Sequence, residues 1–374
     1  MSVSPTPFHA RTAECNRDNA WCKRNGFTVA AHFGDVDDEA ISARMSAIVT
    51  DISWRSRIRL SGAHALECVS RLVTRDPSKL GIGQAFKALW LNDAGAVRGA
   101  AVVARHNVWE FEIISVANDL EWIVSAASLF GVSATDVTRD GGGIAIIGPQ
   151  AARVLAAAGL RVALDLLSRV RLDWGGVGIE LSRFGEHSGF EIWCGCDDAL
   201  VVWDRIVRAG APFALRPAGA EATDTLDIEA GIARPWRDFA PARDASGPSP
   251  TPAQLALESL IDEGHRGFNG FRNWNARKGS GDRTLAGIVV DGDQPVPFAP
   301  LLRDGRKVGR TLSSRYSPSL RRAIALAELE SAHVEPGTNF SLAEPGSLAR
   351  SEVSSLTAHV AALPFLPPPD SIAP

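Results

Sequence analysis

The sequence predicts an α+β fold that ends in a small all-β unit, and three observations predict it. Segments with apolar residues at helical spacing alternate with short runs of strand character through the N-terminal part of the chain. From about residue 283 the helical segments stop, and strand-like runs separated by Gly and Pro turns take over. The 374 residues also exceed the roughly 250–300 at which a single core stops growing, so two or three packed units are required.

In chain order, DDEAISARMSAIV and GAHALECVSRLVT carry helical periodicity, while FKALWLN, GAAVVARH and EFEIISV alternate or run apolar as strands do. NDAGAVR joins the first two of those strands as a turn-rich hairpin. NDLEWIVSAASLFG opens with Asn118 and Glu121 at capping-box spacing and stops at Gly131, which punctuates a helix at both ends. TRDGGGIAIIGPQAARVLAAAGL then reads as a strand and a helix entered through Gly148-Pro149. Two short strands meet at FGEHSGFEIWCG, and the helix DALVVWDRIVRAG follows, which completes an α+β order. The stretch APARDASGPSPTP, residues 240–252, concentrates Pro, Ser and Ala without periodicity, as a linker does. TLAGIVV, RKVGRTLSS, AIALAELE, TNFSL and VSSLTAHVAALP supply the strands of the terminal β unit.

Composition excludes several classes. Hydrophobic residues at 45% and charged residues at 22% belong to a folded globular chain rather than a disordered one. A net charge of −4 argues against a protein built to neutralise phosphates, so no nucleic-acid partner is expected. The most apolar stretches are broken by Arg and Asp before the ~18–20 residues a membrane helix needs, and no basic or apolar leader opens the chain. No membrane partner and a cytoplasmic location are the expectation. Cys15, Cys22, Cys68, Cys194 and Cys196 are odd in number and scattered, which predicts reduced thiols and no metal site.

One residue resists this pattern. Glu191 lies between Phe190 and Ile192 in a strand whose inward positions should be apolar. It either faces solvent on an edge strand, pairs with Arg183, or is turned inward to hold a ligand, because an unpaired buried carboxylate is costly. His187 and Glu186 read as turn residues beside it.

Several blocks, in order, resemble the folate-binding aminomethyltransferase superfamily, which includes the glycine-cleavage T-protein and tetrahydrofolate-dependent demethylases. DISWRSRIRLSGAHALECVSRLVTRD, ALWLNDAGAVRGAAVV, AIIGPQAARVL, FGEHSGFEIW, DTLDIEAG and GRTLSSRYSPSLRRAIALAEL each resemble a block of that family, across roughly residues 25–365. The resemblance implies a three-lobed fold with a central ligand hole, two α+β domains and a C-terminal β-barrel. The implied boundaries are residues 1–56 with 145–250, residues 57–144, and residues 251–374 as a helical connector plus barrel. It implies tetrahydrofolate as cofactor, with the pterin ring held by Glu191. A carboxylate accepts two parallel hydrogen bonds from adjacent N–H donors, which is what a pterin edge offers. Phe86, Val116 and Phe184 are expected around the cofactor, and Trp54, Trp90 and Arg315 around a substrate.

Departures from the family pattern set the expected reaction. Where the resemblance has a catalytic aspartate in an Asp-Asp pair, this chain has Arg98-Gly99. Thr223 and Asp227 stand at family arginines, Val116 at an asparagine and Phe86 at a tyrosine. The expectation is therefore a demethylase that moves a methyl group from a small donor, an aromatic methyl ether above all, to tetrahydrofolate. A non-catalytic folate scaffold and an aminomethyltransferase of glycine cleavage are the alternatives. Tyr316, the one tyrosine of the chain, either protonates the departing phenolate or packs as an aromatic, and His32 is either catalytic or structural. The chain is expected to be a monomer or homodimer.

Overall fold

The computed structural model describes residues 3–184, 187, 189–243, 249–279, 281–343 and 353–369. Two compact units emerge: residues 1–88, 100–224 and 368–374 form the first, residues 89–99 and 225–367 the second.

The centre of the first unit is a six-stranded sheet in the order Arg169–Asp173, Gly178–Ser182, Phe190–Gly195, Gly141–Ile147, Ala47–Asp51, Leu215–Pro217. Its back face carries Val49, Ile144, Ile146 and Ile192, which pack against the helices Ala151–Ala157 and Ala199–Gly210 in one core. Helix Val36–Met45 is capped by Asp35, whose side chain accepts from the backbone N–H groups of Asp37 and Asp38. The helical pattern predicted through DDEAISARMSAIV breaks at Ser46, and Ala47, Ile48 and Val49, all fully buried, continue as a central strand. A short apolar run reads equally as either element, and here the sheet claims it.

The strand Gly141–Ile147 opens with three glycines for a packing reason. A Cβ on Gly142 would come within 2.7 Å of the Phe8 ring on the back face, and one on Gly143 within 2.6 Å of the Trp193 indole on the front. Both faces of this strand are therefore covered by aromatic rings that only glycine admits.

A five-stranded sheet runs in the order Ala85–Leu91, Val97–Asn107, Glu110–Ser115, Ser56–Ser61, Ser133–Asp136, with residues 89–91 and 97–99 of its first two strands counted in the second unit. Helix Leu120–Ser128 forms where its punctuation predicts, although Asn118 accepts from the Leu120 N–H at 2.9 Å instead of completing a capping box. Gly131 ends the segment at φ +63°, a left-handed turn that glycine adopts without strain. A small sheet of Ser4–Pro5, Phe27–Ala30 and Trp21–Arg24, absent from the sequence reading, completes the first unit.

The second unit contains a closed barrel in the order Arg283–Val290, Arg322–Glu330, Arg306–Ser317, Pro300–Arg303, Asn339–Ala343, Val353–Ala361. Its core is mostly aliphatic, with Ala323, Ala325, Ala327, Leu329, Ile288, Val290 and Leu301 fully buried and Phe340 beside them. The α+β fold with a terminal barrel that the sequence predicts is what the structure shows. Among the described residues no helix is long and apolar enough to cross a membrane, and no group of His, Cys, Asp and Glu has the arrangement of a metal site.

Candidate functional site

The strand Ser56–Ser61 alternates Arg57 and Arg59 with Ile58 and Leu60, both of which are fully buried. Strand Phe190–Gly195 alternates Glu191 and Trp193 with the buried Ile192. Each strand thus has an apolar back and a polar front, and within the first unit the two fronts meet. The inward-turned face of the six-stranded sheet is polar because its counterpart is cationic.

Glu191, like Glu112, has 0% of its surface exposed. Its Oε1 accepts from Arg55 Nη1 at 2.5 Å, and among the described residues its Oε2 has only a long contact from Trp193 Nε1 at 3.5 Å. Next along the front, the Arg57 guanidinium lies 4.3 Å from the centre of the Trp193 ring and donates through Nε to Glu112 Oε1. Trp193 lies over Gly143 of the neighbouring strand, so indole and guanidinium stack on a glycine platform. Glu112 Oε2 pairs with His106 Nε2 at 2.5 Å, and His106 Nδ1 lies 2.7 Å from Arg171 Nη2. Since a guanidinium only donates, Nδ1 is the acceptor there and Nε2 carries the proton toward Glu112. Glu180 closes the network, accepting from Arg169 Nη1 at 2.9 Å and Arg171 Nε at 3.2 Å.

Each buried charge in this network has an opposite partner, as burial demands. Burial alone would push the Glu112 carboxyl up, but Arg57 and His106 outweigh it and hold the group well below the ordinary carboxylate range. Burial works against the Arg57 cation, yet Glu112 raises it above the usual arginine value. Beyond Trp193 the front opens into a cleft of about 550 Å³ lined by Arg57, Arg59, Arg171, Glu180 and Asp140 among others.

The structure answers the question Glu191 posed: it neither faces solvent nor pairs with Arg183, which donates to the Leu164 carbonyl at 3.2 Å. Trp54 and Val116 are brought together by Asn25, whose Nδ2 donates to their carbonyls at 3.0 and 2.6 Å. Trp54 directly precedes Arg55 in the chain, and Arg55 is the residue that meets Glu191. Phe184 is 2% exposed in a cluster with Ala85, Val102 and Ile114, and Phe86 is buried next to Ala85. His32 follows strand Phe27–Ala30, with Nδ1 3.9 Å from Asp18. Glu186 lies outside the described residues, and His187 is buried.

The remaining candidates belong to the second unit. Arg315 and Tyr316, both half-buried, lie on barrel strand Arg306–Ser317 opposite Ile324 and Ala323. Trp90 is 1% exposed, and a Cβ on Gly99 would stand 2.1 Å from its Cζ2. The indole thus fills the space a side chain at position 99 would need. Arg98 donates to the Arg243 carbonyl at 2.8 Å. Asp227 accepts from Arg234 Nε and Nη2 at 2.7 and 2.6 Å, and Glu229 accepts from Ser317 Oγ at 2.6 Å. The acids of the LDIEAG block therefore serve internal pairs.

The Arg57–Glu112–His106 network escaped the sequence reading. Its signal was present: RIR and EFE place like charges two residues apart with an apolar residue between, and the two strands pair with each other. Read one strand at a time, such an alternation means polar groups in water. Only the second sheet in front of it reverses that meaning.

Comparison with known proteins adds a second line of observation. The profile of the GCVT N-terminal domain matches residues 8–246, and that of the glycine cleavage T-protein C-terminal barrel domain matches residues 283–365. A protein of Halalkalibacterium halodurans named aminomethyltransferase is 29% identical over 351 residues, covering 91% of this chain and 92% of its own. One of Frankia alni with the same name is 30% identical over 298 residues, covering 78% and 80%. The crystal structure of glycine cleavage system aminomethyltransferase T from Bartonella henselae matches with a TM-score of 0.86 over 98% of this chain and 99% of that one. At 22% identity that match speaks for the fold. These relatives carry the name aminomethyltransferase, and they overturn the expected demethylase and its aromatic methyl donor. The departures from the family pattern at positions 99 and 227 have local reasons instead, in packing against Trp90 at 99 and in ion pairing with Arg234 at 227.

Proposed function

Since the chain belongs to the glycine-cleavage T-protein family, with matching domains over residues 8–246 and 283–365, we propose that it is a tetrahydrofolate-dependent aminomethyltransferase. Members of this family bind tetrahydrofolate. The residues present fit a reduced pterin: Glu191 is a buried carboxylate whose Oε2 holds, among the described residues, only a 3.5 Å contact, so it has acceptor capacity for an N–H edge. This observation carries the reading. When bound, the folate supplies the nitrogen nucleophile that takes up the one-carbon unit. Glu191 holds the pterin edge, while Trp54, on the loop before the arginine strand, and Val116, just after strand Glu110–Ser115, are tied together by Asn25.

Holding nucleophile and one-carbon donor in line supplies much of the acceleration such a transfer needs. No carboxylate acts from position 99, because the Trp90 ring occupies that space. Tyr316 as an acid for a phenolate loses its reason along with the aromatic donor. The same packing at Gly99 favours one second reading, a folate-binding scaffold without turnover.

Two measurements test this. Titration calorimetry with 5-formyl-tetrahydrofolate, a stable reduced folate, should show Glu191→Gln weakening binding by about 10–100-fold, the size of a charge-assisted hydrogen bond or two. Unchanged affinity in a folded variant removes the site assignment. Formation of methylene-tetrahydrofolate from an aminomethylated donor separates enzyme from scaffold, since the scaffold binds and does not turn over.

A further inference from the structure

We propose that Arg55 is the resident occupant of the position the pterin edge takes, and that displacing it sets the ligand selectivity of the site. This rests on the assignment of Glu191 to the pterin. The Glu191 carboxylate is fully buried, whereas the Arg55 side chain is 17% exposed. A ligand arriving from solvent therefore meets Arg55 first and reaches Glu191 by moving it.

The resident pair is incomplete. One guanidinium nitrogen contacts one oxygen at 2.5 Å, and among the described residues the other oxygen has only the 3.5 Å indole contact. A carboxylate offers about four lone-pair sites on its two oxygens, so more donors are accommodated than Arg55 supplies. A 2-amino-4-oxopteridine presents an N–H and an NH₂ in one plane, the same fork of donors as a guanidinium. It matches the shape of the group it replaces and engages both oxygens.

Position favours the exchange as well. Arg55 precedes strand Ser56–Ser61, and among the described residues its guanidinium pairs with no second carboxylate. Arg57, two residues on, is fixed between Glu112 and the face of Trp193 and has no such freedom. Selectivity follows because a ligand without the 2-amino group cannot replace what it removes. A buried carboxylate left short of donors penalises the wrong ligand far more than a lost contact does.

The test uses the full chain with 5-formyl-tetrahydrofolate and its 2-desamino analogue, read by calorimetric Kd and by thermal shift. Arg55→Met should lower the melting temperature of the free protein yet bind the reduced folate about tenfold more tightly, with a larger thermal gain than wild type. Arg55→Gln keeps a neutral donor toward Glu191, so it should fold well and lie between the two; it decides the matter if the Met variant does not fold. The 2-desamino analogue should bind at least tenfold more weakly than its parent to wild type. Equal or weaker binding of the parent folate by the Arg55 variants, with Glu191→Gln still impaired, overturns the role of Arg55 alone. Unchanged binding by Glu191→Gln overturns the pterin assignment and this inference with it.

Discussion

Gly99 and Trp90 are coupled by space rather than by bonding. With the indole 2.1 Å from where a Cβ would stand, Gly99→Ala should destabilise the protein by about 2–3 kcal/mol through overpacking. Denaturant unfolding of Gly99→Ala alone and combined with Trp90→Leu checks this: the double variant should recover part of the loss that addition of the single effects predicts. Full additivity would mean the ring is not what fills position 99. Thiol reactivity is a second readout at this scale. Burial pushes the Cys68 thiol up to about 11 and the Cys194 thiol up to about 12, while Cys196 is exposed. In native protein a disulfide reagent at pH 8 should modify Cys196 first, and Cys196→Ser should remove the fast phase; a fast phase that persists contradicts these environments. Glu191 was legible as an anomaly in its strand. Its partner Arg55 was not, since nothing in a sequence says which of Arg55, Arg57, Arg59 and Arg183 a buried acid will meet.

At the scale of elements, two strands that each look amphipathic toward water turn their polar sides to one another. The exchange is stable only while the charges match. Glu112→Gln leaves Arg57 with the Trp193 face but without its nearest anion, and should cost about 3 kcal/mol or more, as removal of one partner from a buried pair does. The pH dependence has a definite sign. Glu112 is held below its ordinary value of 4.5 by Arg57 and His106, which outweigh burial. Its contribution to stability is therefore complete above that value and is lost as pH falls through the depressed one. Acid titration of urea midpoints should show wild type losing stability below about pH 4.5 more steeply than Glu112→Gln; parallel curves would place the acid sensitivity elsewhere. Helix punctuation was readable where Gly131 ends a helix, and strand character where apolar runs were short. The boundary at Ser46 was not, because AIV has no period of its own and the sheet decides it. The glycine run at 141–143 likewise explains itself only once Phe8 and Trp193 lie on its two faces.

For the molecule as a whole, the α+β order and the terminal β unit were visible because each strand is short, regularly spaced and punctuated. Closure of the barrel was implied by family resemblance rather than by the strands themselves. Periodicity assigns elements, whereas closure depends on which edges pair. That pairing makes the last strand decisive. Val353–Ala361 pairs with Asn339–Ala343 on one side and with Arg283–Val290 on the other, so it alone joins the two ends of the sheet. A chain ending at residue 343 would leave two open edges of unpaired N–H and C=O groups beside the apolar barrel core. Open edges of this kind recruit other chains. The truncated protein should therefore aggregate when expressed, measured by light scattering and by the soluble fraction, under conditions where the full chain is monodisperse. A soluble truncated protein with an unchanged melting profile would show that closure contributes little and that the five remaining strands suffice.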